Sequence, residues 1–293
     1  MAFKQGLTPW LAGLNLPVYT AALVPVLVGT AAAWWGDARF DSWRFALVLV
    51  GLIFVQGWIN FSNDVFDSDT GVDHNKHDSL VNLTGNRDQV FWAGNFLLAI
   101  GCLCFAALQD PMLLLLGIAG ILLGYCYAGP PLRLAYRGWG ELISFTCFGP
   151  VAVLVAERAQ SGGWNLGALT AGLAVGGWTA AIAYAHHFPQ IEDDRRYGKR
   201  TPVVRWGRLK AAQRYGWVVL PAYGFLLLGI WTGQLPWSAG LALLSAPLAL
   251  RLLHLTQAHA LDTRVREAQP RAVQLHLVSG LLLSVGLWFG WSP

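Results

Sequence analysis

The segment Asn60-Phe61-Ser62-Asn63-Asp64-Val65-Phe66-Asp67-Ser68-Asp69-Thr70-Gly71-Val72-Asp73 places four aspartates within ten residues, closing an apolar run that begins near Phe45. Charges are costly where a hydrophobic segment meets a bilayer, so acids placed there mark a functional site. Gln56, Asn60, Asn63, Asp64 and Asp67 fall at i, i+4, i+7, i+8 and i+11, one face of a helix. A polar stripe therefore descends an apolar helix and ends in carboxylates. Asp69, Gly71 and Asp73 follow where the helix should give way to a loop. Such oxygen donors suit Mg2+, which takes one or two carboxylates and fills its octahedron with water and substrate phosphates. Acids that were merely solvated, or paired with a lysine, would need no amides rising into the membrane.

A second cluster reads His186-His187-Phe188-Pro189-Gln190-Ile191-Glu192-Asp193-Asp194-Arg195-Arg196-Tyr197-Gly198-Lys199-Arg200. Mutual ion pairs would satisfy such a loop taken alone. Two acidic clusters on one membrane face instead fit a metal-bound diphosphate gripped from two sides, with cations to take the charge on the leaving group. Lys76, Arg87, Lys199 and Arg200 are the candidate cations, although membrane topology alone also places basic residues there. Between the clusters, Tyr125–Glu141 carries Gly129-Pro130-Pro131, which ends a helix. Arg133 and Arg137 either clamp phosphate oxygens or anchor the chain at headgroups. Tyr125 and Tyr127 are core, interface or substrate-contacting residues. His186 and His187 bind substrate, act as a base, or serve as structural donors. His74 and His77 flank the first cluster.

These residues must be positioned by membrane helices. The chain is 55% hydrophobic and only 12% charged, with a mean hydropathy of +0.46, whereas a soluble domain carries about 25% charge. Apolar runs of about twenty residues, the length that spans a bilayer, occur near 16–35, 44–64, 90–108, 111–129, 140–157, 166–187, 213–233, 236–256 and 272–291. They predict an all-α polytopic membrane protein with nine transmembrane helices in one bundle around a central cavity. Seventeen of the twenty lysines and arginines, from Lys4 to Arg271, fall on one side of that arrangement, leaving Arg39, Arg44 and Arg158 on the other. The positive-inside rule then puts the N-terminus and every motif-bearing loop in the cytoplasm and the C-terminus outside. The net charge of +4 follows the membrane loops and is no nucleic-acid signature. Cys102, Cys104, Cys126 and Cys147 sit in apolar runs without metal-binding spacing. No cleavable signal sequence is evident.

Asn63-Asp64-x-x-Asp67, with Asp73 beyond it, resembles the first aspartate-rich motif of the UbiA-type membrane prenyltransferases. Asp194, Gly198 and Lys199 resemble the second. The segments Asn63–Asn86, Tyr127–Glu141 and HHFPQIEDDRRYGKRTPVVRWG are most similar to the 1,4-dihydroxy-2-naphthoate prenyltransferases, particularly the cyanobacterial and plastid phytyltransferase branch. The resemblance covers nearly the whole chain and implies one domain over 1–293. It further implies Mg2+, a prenyl diphosphate donor and an aromatic naphthoate acceptor, with no nucleic acid and no inferable protein partner. Asp64, Asp67 and Asp194 become the expected catalytic residues, and Asn63, Asp64, Asp67, Asp73, Asp193 and Asp194 the metal-binding set. Substrate contacts are expected from Asn60, Asn63, Lys76, Arg87, Tyr127, Arg133, Arg137, His187, Gln190, Lys199 and Arg200. Gln190 stands where the second motif ordinarily opens with aspartate, so Glu192 or Asp193 must compensate or one metal is held more weakly. The alternatives are another acceptor such as homogentisate or, from a different class, a secondary transporter. Transporter sites lie near the bilayer midplane on broken helices, whereas these acids lie at span ends on one side.

Overall fold

The apolar runs become helices whose starts are set by polar caps. Asp41 accepts from the Trp43 and Arg44 N–H groups, Asp110 from those of Met112 and Leu113, Asn86 from Gln89 and Asn165 from Gly167. The computed structural model describes residues 9–10, 13–76 and 78–290; Lys4 and His77 lie outside them. The long helices are α1 (Leu16–Trp35), α2 (Ser42–Thr70), α3 (Arg87–Ala107), α4 (Pro111–Ala128), α5 (Gly140–Ser161), α6 (Leu166–Arg196), α7 (Gly216–Trp231), α8 (Trp237–Ala258) and α9 (Thr263–Phe289).

Eight of these, all but α7, have the length and apolarity to cross a membrane. The chain is an integral multi-pass membrane protein. The span expected over 213–233 is the shorter α7, because the regular helical hydrogen bonding is interrupted at Tyr215, after the short helix Arg208–Arg214, although Tyr215 itself keeps helical backbone angles. Trp217 and Trp231, 83% and 82% exposed, stand at its two ends as interfacial anchors. Helix α6 lies at the centre, with 78% of its apolar window buried, while α4, at 17%, faces outward. Around α6 pack α1, α5, α7 and α9, and α2 pairs with α3.

Two features aim the site. Helix α2 runs unbroken to Thr70 and stops at Gly71, whose φ of 81° is left-handed. Helix α6 continues to Arg196, so Glu192, Asp193 and Asp194 are helical rather than in a loop. On the opposite wall α5 bulges at Cys147–Val151 around Gly149 and Pro150, a departure typical of functional sites. There Gly149 meets α6 so closely that a Cβ would collide with the Gly176 Cα and lie 2.7 Å from the Gly172 carbonyl oxygen. Small residues permit such approaches in membrane helices. Gly149→Ala is expected to lower stability by about 1–3 kcal/mol through overpacking, read as an earlier melting transition in detergent.

Candidate active site

The polar stripe of α2 faces a cavity of about 190 Å3 enclosed by α1, α2, α4, α5, α6 and α9. Gln56, Asn60, Asn63, Asp64 and Asp67 line it, as the helical spacing requires. Lys76, Tyr127, His186, His187 and Lys199 complete the polar wall. Its apolar part comes from residues such as Val18, Ile59, Ile143, Phe148 and Ile182. The bulge in α5 presents Cys147 and Phe148 to this space.

Each α2 carboxylate that lines the cavity, Asp64 and Asp67, is held by a lysine that follows one of the two acidic clusters. Asp64 accepts from the Lys76 ammonium at 2.7 Å and from the Leu80 backbone N–H at 2.8 Å. Lys76 also reaches Asp73 at 3.1 Å. Asn82 fixes this loop by donating to the carbonyls of Asp73 and Lys76. Asp67 accepts from the Tyr136 hydroxyl at 2.7 Å and from the Lys199 ammonium at 3.2 Å. Burial opposes the charge on both lysines, but the facing carboxylates hold their protons more tightly than usual: Asp64 and Asp73 for Lys76, Asp67 and Asp194 for Lys199. Burial pushes the Asp73 carboxyl up to about 6, against the pull of Lys76. The segments after α2 and within α6 also touch directly, through Asn75 donating to Asp193 at 2.9 Å. Both acidic clusters therefore lie at the same end of the bundle.

His187 is buried between two acids, its Nε2 3.3 Å from Glu141 and its Nδ1 3.6 Å from Asp194. Asp194 is fully buried two helical turns beyond His187 and accepts from the Thr201 hydroxyl at 3.4 Å. It does not line the cavity. The wall that α6 contributes ends at His187, one turn before Gln190, which is half-buried and off the lining. Neither Asp73 nor Asp193 is on the lining.

The four candidate arginines also lie off the cavity. Arg87 makes two 2.7 Å bonds to Asp69. Arg133 sits over the Tyr136 ring at 5.9 Å, Arg137 reaches the Pro131 carbonyl at 3.4 Å, and Arg200 is exposed. Membrane orientation puts basic residues in these loops whether or not a ligand needs them, and each long side chain settles on the nearest acceptor, ring or solvent. Tyr136, Glu141 and Gln269 were not singled out from sequence. Gln269 lines the cavity and lies 3.2 Å from the His186 Nδ1. A polar residue just before the last apolar run is its one signal.

Among the described residues no three His, Cys, Asp or Glu side chains gather closely enough to hold a metal by themselves. The donor set nevertheless fits a hard dication that takes only one or two carboxylates from protein. The Asn63 Oδ1 is buried without a partner, beside Asp64 and Asp67 on one cavity-facing stripe.

Residues 22–291 match the model of the UbiA prenyltransferase family. The chain is 42% identical to the 2-carboxy-1,4-naphthoquinone phytyltransferase of Synechocystis sp., over 97% of this chain and 93% of the relative. It is 35% identical to the chloroplastic enzyme of the same name from Arabidopsis thaliana, over 94% and 75%. Its fold is similar to that of a UbiA homolog from Aeropyrum pernix, with a TM-score of 0.68 and 19% identity over 90% of this chain and 97% of that one. A UbiA homolog from Archaeoglobus fulgidus, bound to DMAPP and Mg2+, superposes with a TM-score of 0.54 and 16% identity over 95% and 100%. With a bundle, an acid-lined cavity and matches that each span most of its length, this chain belongs to the UbiA prenyltransferase family and is a membrane prenyltransferase similar to the naphthoquinone phytyltransferases of cyanobacteria and plastids.

Proposed function

We propose that this protein transfers a phytyl group from phytyl diphosphate to 1,4-dihydroxy-2-naphthoate, with loss of CO2 and diphosphate, in the synthesis of a phylloquinone- or menaquinone-type quinone. The observation that carries the reading is the meeting of the α2 carboxylates with Lys76 and Lys199 in a cavity that also carries an apolar surface of Val18, Ile59, Ile143, Phe148 and Ile182. Prenyl transfer to a naphthoate is the reaction class of the similar enzymes, and their names support phytyl as the chain.

Asn63, Asp64 and Asp67 would hold Mg2+, with Asp73, Asp193 and Asp194 adding negative charge behind them. The ion, when bound, supplies positive charge that makes diphosphate a better leaving group. Lys76 and Lys199 move from the carboxylates to phosphate oxygens, where they stabilise the charge that develops. The allylic C–O bond breaks and diphosphate departs with the electron pair. The apolar wall keeps water from the allylic cation. A ring electron pair of the naphthalenediol forms the new carbon–carbon bond at the carbon bearing the carboxylate. The electrons of the bond to that carboxylate restore the aromatic ring as CO2 leaves. His186 and His187 face the same space and offer ring nitrogens to the acceptor hydroxyls, with His187 held by Glu141 and Asp194.

The lysine and arginine distribution supports a site on the cytoplasmic side, with the N-terminus in and the C-terminus out. Purified membranes offered several quinone precursors and several prenyl diphosphates should yield phytylated, decarboxylated naphthohydroquinone as the main product by mass. A product that retains the carboxylate, or comes chiefly from homogentisate, overturns the assignment. Chelation with EDTA is expected to abolish turnover and added Mg2+ to restore it.

A further inference from the structure

We propose that a groove between α8 and the start of α9 binds the headgroup of an anionic phospholipid, with Arg251 at its centre. Two adjoining hollows form the groove. Arg251 and Leu255 line both, the first adding His254 and Arg264 and the second Leu248 and Arg271. The groove is separate from the prenyl-transfer cavity and shares none of its lining residues.

The protein's own anions in this region are already committed. Asp262 lies 2.8 Å from the His259 Nδ1 and accepts from the Arg264 backbone N–H at 2.8 Å. Glu267 faces the Arg264 guanidinium at 3.7 Å. Among the described residues, Arg251 and His254 have no hydrogen-bond or ion-pair partner. Arg251 is also placed unlike a loop cation. It lies inside α8, seven residues before the helix ends at Ala258, which is about 10 Å at 1.5 Å per residue. Arg251 is itself exposed, as is Leu250 beside it at 62%, so this part of α8 faces outward from the bundle.

A cation on the outward face of a membrane helix is stabilised by an anion beside it, and among the described residues none of the protein's own pairs with Arg251. The anion available at the edge of a hydrocarbon layer is a lipid phosphate. The forked guanidinium matches phosphate oxygens, Arg271 extends the positive surface along the groove, His254 offers a ring nitrogen beside it, and Leu248 and Leu255 adjoin the glycerol and upper acyl chain. Net negative lipid charge adds attraction that a zwitterionic headgroup lacks.

The test uses the full chain, purified in mild detergent and offered equal amounts of phosphatidylglycerol and phosphatidylcholine, with retained lipid read by native mass spectrometry. Wild-type protein is expected to retain phosphatidylglycerol preferentially. R251Q/R271Q should weaken that retention about thirtyfold, roughly fivefold for each charge removed. R251K/R271K keeps the charge, loses the fork and should fall between the two. If the double glutamine variant does not insert, R251Q alone carries the comparison, with the fivefold loss expected. Equal retention of the two lipids by wild type, or unchanged retention in the glutamine variant, overturns the proposal. So does displacement of the lipid by excess inorganic pyrophosphate, which would make the groove a site for soluble anions.

Discussion

Asp64→Ala is expected to lower turnover about a hundredfold to a thousandfold, the loss typical of removing one preorganised electrostatic group from a reaction centre. Asp64 is the acid that joins the α2 stripe to the loop after it, through Lys76 at 2.7 Å and the Leu80 N–H at 2.8 Å. Alanine would leave that buried N–H without an acceptor, at a cost of about 1–3 kcal/mol. Asp64→Asn separates the two roles. Its amide oxygen still accepts from Leu80, so the protein should insert and melt much like wild type, but its neutral side chain should not support turnover. The measurement is product formation at saturating Mg2+ beside a detergent melting curve. Wild-type-like activity in both variants would remove the carboxylate from the mechanism.

Lys199→Met should cost about a hundredfold in turnover, on the same electrostatic grounds. Lys199 is 6% exposed, and its ammonium lies 3.2 Å from Asp67 and 5.1 Å over the Tyr136 ring. In the proposed reaction it leaves Asp67 for the diphosphate, so its removal should slow the bond-breaking step more than it weakens binding. A lower kcat with KM for the prenyl diphosphate changed little is the expected pattern. A change in KM alone would make Lys199 a binding residue with no part in stabilising the leaving group.

The stripe on α2 was legible in the sequence because a helix fixes which residues share a face: Gln56, Asn60, Asn63, Asp64 and Asp67 all reached the cavity. Long apolar runs likewise located the helices, with α7 shorter than its run because the helical hydrogen bonding is interrupted at Tyr215. The arginines were not legible in the same way. Orientation in the membrane and phosphate binding both call for basic residues in these loops, and composition does not distinguish them. Arg87 instead grips Asp69. Tyr136 and Glu141 come from the connection after α4 and the first turn of α5, where no periodic pattern marks them. Their contacts with Asp67 and His187 arise only when distant helices pack. Asp194 carried a motif signal, yet its position behind His187 depends on where the cavity ends along α6.

Lys76 shared by Asp64 and Asp73, and Lys199 seated on Asp67, offset two of these three carboxylate charges in the resting pocket from within. A dication arriving alone would meet ammonium groups already in possession of the carboxylates. A diphosphate arriving alone would meet the carboxylates themselves. Only the two together can exchange partners so that every charge finds its opposite. In the proposed reaction such a pocket would favour the complete ion–diphosphate pair over either component, a discrimination set by its own internal counter-ions rather than by its shape.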